Sequence, residues 1–241
     1  MHRDEALRIV LLATRGGGAA LFAGNGFVAR AAVTIDDRPL NFAMLGSMSL
    51  APALAAGFAH RTGLPVVVVE GDGNALMGLS SLPAVAAALA GGDGHAGAGG
   101  HAGGGGARRG GGEAARGPFV HVVLDNGVYE STGGQRTLSP RVDLCAIAVA
   151  AGYPSARAVT GGAVLTAAMA EALARPGPTY LRVRVDPAPG GPGRAAIHPR
   201  VPRHPRDIAR RFVAAAVTAK AAKADKAAAV TACTEEGMRR P

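Results

Sequence analysis

Tryptophan is absent from this 241-residue chain, and aromatic residues of all kinds make up only 4% of it. The core must then be packed largely from Ala, Val and Leu, within a hydrophobic content of 48%. Cysteine is scarce too. Cys145 and Cys233 are the only two, too few for a disulfide framework. Cys145 falls in an apolar helical run and reads as a small core residue, and a cytoplasmic, reducing setting suits the chain. No run of 18 apolar residues occurs, which argues against a membrane span. The start, Met1-His2-Arg3-Asp4-Glu5, is charged and leads into no long apolar stretch with a cleavage site, so no signal peptide is expected.

Acidic residues are outnumbered, and the formal net charge is +9. The excess is local: from Arg194 onward there are eleven Lys/Arg against four Asp/Glu. The basic balance therefore describes mostly the C-terminal part. Without interleaved aromatics or a recognised binding motif it argues poorly for nucleic acid.

Helical and extended patterns alternate along the chain. Apolar positions Ala6, Leu7, Ile9, Val10 and Leu11 predict an amphipathic helix over 3–14. A short strand over 19–23 runs into Gly24-Asn25-Gly26. Helices are expected over 47–60, 76–90, 143–151 (with Asp143 near its N-terminus), 162–175 and 205–218. The β-branched runs 65–69 and 119–124, with 179–185, read as buried strands of a parallel sheet. The fold class is thus α/β, a parallel sheet flanked by helices. One domain is expected over 1–218, followed by a disordered Ala/Lys-rich tail over 219–241. Residues 91–117 interrupt the order with 14 glycines in 27 positions. Such a segment buries too little apolar surface to offset its ordering entropy, and a disordered insertion is expected there. His95 and His101 within it form a weaker candidate for a metal site.

Gly71-Asp72-Gly73 follows one of the buried strands and opens a helix. Glycines at such a turn let backbone approach a phosphate, and the helix start offers unpaired N–H groups. An Asp there repels a diphosphate unless a cation lies between, and oxygen ligands suit Mg²⁺. The strand 119–124 ends in Asp125-Asn126-Gly127-Val128. If the two strands are parallel, Asp72 and Asn126 lie side by side where open α/β sheets bind ligands. Asp72, the Asn126 side-chain oxygen and the Val128 carbonyl then form a three-ligand metal set.

Gly-Asp-Gly followed by an Asn-containing turn resembles the cofactor fingerprint of thiamine-diphosphate enzymes. Asp72 and Asn126 are 54 positions apart, and removing the 27-residue Gly-rich segment leaves 27, the separation usual in that family. The run from Leu124 through Tyr129-Glu130-Ser131-Thr132-Gly133-Gly134-Gln135 is similar to phosphonopyruvate decarboxylases and sulfopyruvate decarboxylase beta subunits. So are Met44-Leu45-Gly46-Ser47-Met48 and Val142-Asp143-Leu144-Cys145-Ala146-Ile147-Ala148.

The resemblance implies the thiamine-diphosphate-binding fold, here its diphosphate-binding domain, with thiamine diphosphate and Mg²⁺ as cofactors. Asp72, Asn126 and Val128 would hold the metal; Gly71, Gly73, Asn74 and Ala75 would line the diphosphate. Gly46 and Ser47 would meet the aminopyrimidine, with Met48 as the apolar wedge that bends the cofactor. Glu130, Ser131, Thr132 and Gln135 would act on the substrate, and Asn25-Gly26 would lie near its entrance. One departure is Ser49, where the family tends to have Gly. The implied reaction is decarboxylation of an anionic 2-oxo acid, most directly 3-phosphonopyruvate in phosphonate biosynthesis. The alternatives are 3-sulfopyruvate, or a non-catalytic subunit that keeps the fold. The catalytic Glu of such enzymes comes from a pyrimidine-binding domain. No second α/β domain fits in this sequence, so an alpha subunit supplying that Glu is the expected partner.

Overall fold

The computed structural model describes residues 1–90, 117–187 and 199–238. Apart from Gly117, the expected insertion with His95 and His101 lies outside the described residues, as do positions 239–241 of the expected tail. In chain order the elements are α1 (Arg3–Gly16), β1 (Ala20–Ala23), α2 (Phe27–Ile35), β2 (Asn41–Ala43), α3 (Ala51–Thr62), β3 (Val66–Gly71), α4 (Asp72–Met77), α5 (Leu82–Leu89), β4 (Pro118–Asp125), β5 (Val128–Tyr129), β6 (Gln135–Arg136), α6 (Leu144–Ala150), β7 (Ser155–Val159), α7 (Gly162–Leu173), β8 (Gly177–Arg184) and α8 (Pro205–Met238).

Six strands form one parallel sheet in the order β2-β1-β3-β4-β8-β7, and β5 and β6 form a separate antiparallel pair. The Val-rich strands β3 and β4 sit at the centre because both of their faces are covered. Val67, Val69, Val120 and Val122 pack on one side with residues of α1, α2 and α7. Val66, Val68, Phe119 and Val123 pack on the other with residues of α3, α5 and α6. The few aromatics are concentrated rather than dispersed: Phe212 of α8 meets Phe22, Phe42 and Phe58 at centroid distances of 5.1, 5.3 and 5.1 Å.

Several expectations are corrected. The helix expected over 76–90 is broken: α4 ends before Gly78, a 3-10 turn covers Leu79–Ser81, and α5 begins with Pro83 in its first turn. Proline fits a helix start but not its interior. The helix expected from Ser47 begins at Ala51, because Ser47 and Ser49 adopt φ of 56° and 71°. The disordered tail expected from 219 is a continuation of α8 through Met238. Its Ala/Lys-rich sequence has high helix propensity, and Lys223 Nζ donates to the Gly63 carbonyl at 2.5 Å. Elements α2, β2 and β7 were not foreseen. As expected, Asp143 caps α6, accepting from the Cys145 and Ala146 N–H groups at 3.0 Å.

The strand order places a topological switch between β1 and β3. The chain leaves β1 toward β2 on one side, then crosses to β3 on the other. Ligands of open α/β sheets bind at the carboxyl ends of the strands beside such a switch.

Candidate active site

The β3–α4 turn delivers Asp72 to that position. Its side chain is 2% exposed, and Oδ2 accepts from the Thr137 hydroxyl at 2.5 Å. Burial pushes the Asp72 carboxyl above the ordinary Asp range, and the neighbouring Asp125 carboxylate adds to that; hydrogen bonds from Thr137 and Ser139 oppose it without cancelling it. Beside it, a Cβ on Gly73 would come within 2.5 Å of the Tyr129 ring. Only glycine lets α4 lie this close to the loop after β4.

That loop is organised by Asp125. Its Oδ1 accepts from the Gly127 N–H at 3.1 Å and the Ser139 hydroxyl at 2.6 Å, and its Oδ2 from Arg182 Nε at 2.6 Å. Burial alone raises the Asp125 carboxyl, but the Ser139 and Arg182 hydrogen bonds, with the charges of Arg182 and Arg184, hold it below the usual range. The next residue, Asn126, accepts the Val128 N–H on Oδ1 at 3.0 Å. That oxygen keeps a second lone pair for a ligand. Thr137, Ser139, Asp125 and Arg182 therefore frame Asp72 and Asn126. None was foreseen as part of the site, since their grouping depends on contacts across up to 65 positions.

The run Glu130 to Gln135 forms the turn of the β5–β6 hairpin, with Gly133 and Gly134 at φ of 130° and 73°. Gly134 N–H closes onto the Tyr129 carbonyl at 2.8 Å. The four expected residues separate here. Glu130 is buried, and its Oε2 accepts from Arg3 Nη1 at 2.8 Å. Ser131 lines the cavity, whereas Thr132, exposed at the tip, and Gln135, exposed at the start of β6, do not.

Gly71, Asp72, Gly73 and Asn74 line one cavity together with Asn126, Val128 and Met48. Asn25 and Gly26 from the β1–α2 turn line it too. Gly46 and Ser47 lie on the exposed loop beside it without lining it, and the Ala75 side chain is 3% exposed in the core. The cavity is about 90 Å³, well short of the roughly 300–1,000 Å³ of sites that enclose a cofactor-sized ligand.

Comparison with known proteins identifies the family. Residues 112–183 match the thiamine pyrophosphate enzyme C-terminal TPP-binding domain. The chain is 41% identical over 202 residues to the phosphonopyruvate decarboxylase of Streptomyces hygroscopicus, covering 84% of this chain and 43% of that protein. It is 32% identical over 162 residues to the sulfopyruvate decarboxylase subunit beta of Methanothermobacter thermautotrophicus, covering 67% of this chain and 71% of that subunit. The chain belongs to the phosphonopyruvate decarboxylase and sulfopyruvate decarboxylase beta-subunit family.

It spans less than half the length of the Streptomyces relatives, at 43% and 46%. Among solved structures the fold is similar to that of the 2-oxoglutarate:ferredoxin oxidoreductase of Magnetococcus marinus, at TM-score 0.53 and 16% identity over 76% of this chain and 62% of that one. A Mycobacterium smegmatis protein provisionally assigned as thiamin-diphosphate-dependent gives TM-score 0.54 and 21% identity over 78% of this chain and 32% of that one. Family membership supports a thiamine-diphosphate-binding domain. Among the described residues, no helix is long and apolar enough to cross a membrane.

Proposed function

We propose that this chain is the diphosphate-binding half of a thiamine-diphosphate decarboxylase that converts 3-phosphonopyruvate to phosphonoacetaldehyde and CO₂. The observation that carries the reading is the convergence of Asp72 and Asn126 at the carboxyl ends of the adjacent strands β3 and β4, next to the β1–β3 switch. The 41% identity to phosphonopyruvate decarboxylases favours phosphonate over sulfonate.

The residues fit the cofactor. Asp72 is a buried carboxylate whose proton affinity is raised by burial and by Asp125 despite hydrogen bonds from Thr137 and Ser139, which is an electrostatic setting that a cation relieves. No group of three or more His, Cys, Asp or Glu converges among the described residues. A metal at Asp72 would then be shared with diphosphate oxygens, as Mg²⁺ commonly is. Asp72, Asn126 and the Val128 carbonyl would hold it, while Gly73, where Tyr129 leaves no room for a side chain, would let the backbone approach the phosphates. Thiamine diphosphate, when bound, supplies the electron sink for the carbanion left as CO₂ departs. Met48 would press on the cofactor from the loop, and Ser131 and Asn25, which line the same cavity, would face the substrate.

The rest of the site would come from a pyrimidine-binding chain or domain. Met48 (36% exposed) lines the cavity, Leu45 (46%) and Leu50 (52%) lie on its loop and Met77 (58%) on α4, and Ser49 packs against Gly78 to join the two segments. Exposed apolar surface beside an undersized cavity is what a partner would cover. Glu130 is engaged by Arg3 and Glu70 is buried against His121; on the family resemblance, the proton-relaying Glu is assigned to that partner.

The test is CO₂ release by the chain combined with its pyrimidine-domain partner. Turnover is expected with 3-phosphonopyruvate and weak or none with pyruvate. Preference for 3-sulfopyruvate would move the assignment to the sulfonate branch. Equal use of pyruvate would reject both, and cofactor binding without turnover of any of the three would point to a non-catalytic subunit.

A further inference from the structure

We infer that Arg3 is the residue that recognises the anionic tail of the substrate, an inference that rests on the decarboxylase reading above. Among the described residues, Arg3 is the only cationic side chain lining the cavity, where Asp72 and Glu130 are the other charged ones. A multiply charged 2-oxo acid entering between two carboxylates is repelled unless a cation offsets them.

The placement of Arg3 has no local rationale. It stands in the first turn of α1, where a basic residue opposes the helix macrodipole, and it is 9% exposed. A buried ion pair of this kind contributes little to stability once desolvation is counted. Local rules are broken in this way chiefly where function demands it.

The surroundings hold the guanidinium as a fixed fork. Nε donates to Asp4 Oδ1 at 3.0 Å and Nη1 to Glu130 Oε2 at 2.8 Å, while the plane lies over Phe27 with 5.3 Å from Cζ to the ring centroid. These contacts use part of the five N–H donors of an arginine. The first residues are themselves tied to the sheet, since His2 bridges Asp186 just past β8. Ser131 and Asn25 stand at the same end of the cavity: a Cβ on Gly26 would lie 3.8 Å from Ser131 Oγ. Arg3, Ser131 and Asn25 thus supply donors to the cavity that Asp72 and Asn126 also line, and a substrate with its carbonyl toward the cofactor would offer its tail to them. Such a fork suits a tetrahedral oxyanion, phosphonate or sulfonate, through charge-assisted hydrogen bonds.

The test uses unreactive mimics. 3-Phosphonopropionate, 3-sulfopropionate and propionate are titrated calorimetrically into the full chain with thiamine diphosphate and Mg²⁺. Both tailed acids are expected to bind better than propionate. Arg3→Met should weaken them roughly 10- to 150-fold, and Arg3→Lys less, while cofactor affinity holds. The double variant Arg3→Met, Glu130→Gln guards against effects of an unpaired Glu130 and should behave like Arg3→Met. If the double variant binds the tailed mimics as wild type does, or wild type binds propionate equally well, the inference is wrong. Steady-state assays with the partner separate the two claims. If Arg3→Met raises KM equally for 3-phosphonopyruvate and pyruvate, the tail role fails and the decarboxylase reading stands. If mimics bind through Arg3 but no 2-oxo acid is turned over, the anion site stands and the decarboxylase reading fails.

Discussion

His121 Nε2 lies 3.0 Å from Glu70 Oε1 on the neighbouring central strand, and both side chains are 1% exposed. The pair sits directly beneath the Gly71-Asp72 turn. His121 Nδ1 also faces the Tyr153 hydroxyl at 3.3 Å, whereas Glu70 Oε2 and the Tyr180 hydroxyl have no hydrogen-bond partner among the described residues. Removing one member of a buried pair strands the other, so His121→Ala is expected to cost about 3–5 kcal/mol. The matched apolar replacement Glu70→Leu, His121→Phe should recover most of that. Tyr180→Phe deletes an unsatisfied hydroxyl and should be neutral or stabilising by up to about 1 kcal/mol. Urea unfolding midpoints check all three, and a large loss in Tyr180→Phe would show that its hydroxyl is satisfied after all.

Ser49 carries φ of 71° in the loop that presents Met48. A side chain in the left-handed region costs roughly 1–2 kcal/mol, partly offset by the greater chain entropy that Gly loses on folding. Ser49→Gly is expected to raise the melting temperature by about 1–4 °C. A calorimetric scan that shows no rise would mean the serine is held there by contacts that compensate its strain.

Asp72 carries opposite consequences for the bare and loaded chain. With its carboxyl raised by burial and Asp125, its contribution is favourable below the ordinary Asp pKa and is lost as pH rises through the folded value. At neutral pH the charged form is therefore a cost, and Asp72→Asn should stabilise the metal-free chain. Adding thiamine diphosphate and Mg²⁺ should stabilise wild type in proportion to ligand saturation, with the shift abolished by a chelator and absent in Asp72→Asn. An equal ligand-induced shift in both proteins would remove Asp72 from the metal site.

Asp37 ties α8 to the β2 side of the sheet. Its Oδ1 accepts from Arg211 Nη1 at 2.6 Å and its Oδ2 from Arg203 Nη2 at 2.5 Å. Burial pushes the Asp37 carboxyl up, but those two arginines outweigh it and hold it below the ordinary range. The contribution is thus complete above the ordinary Asp value of 3.8 and lost as pH falls through the lower folded one. Asp37 is 31% exposed, so the effect is that of a surface pair, about 0.2–1 kcal/mol. Asp37→Asn at neutral pH should increase hydrogen exchange near Arg211 to the degree acid does in wild type. Unchanged exchange in both would mean that the other contacts of α8, Phe212 among them, anchor the helix without Asp37.

The α/β class and its central strands were legible in the sequence because they rest on short-range regularities. The Val-rich runs of β3 and β4 admit one environment, buried on both faces, and Asp143 announces α6 through its own side chain. The short elements β2 and β7 escaped notice because three to five residues carry too little periodicity to stand out.

By itself the sequence pointed to Asp72 and Asn126 as polar ends of two buried strands, since strand type is a local property, and left their meeting conditional on those strands being parallel neighbours. Only the tertiary structure decided the rest. It put Asn25 and Gly26 into the cavity through the switch between β1 and β3, built the Asp125–Ser139–Arg182 frame, and left Thr132 and Gln135 exposed on the β5–β6 hairpin. It also brought Arg3 to Glu130 across 127 positions. Sequence patterns report which face of an element is apolar, whereas the meeting of two distant polar groups is fixed by strand order and packing, which no local pattern records.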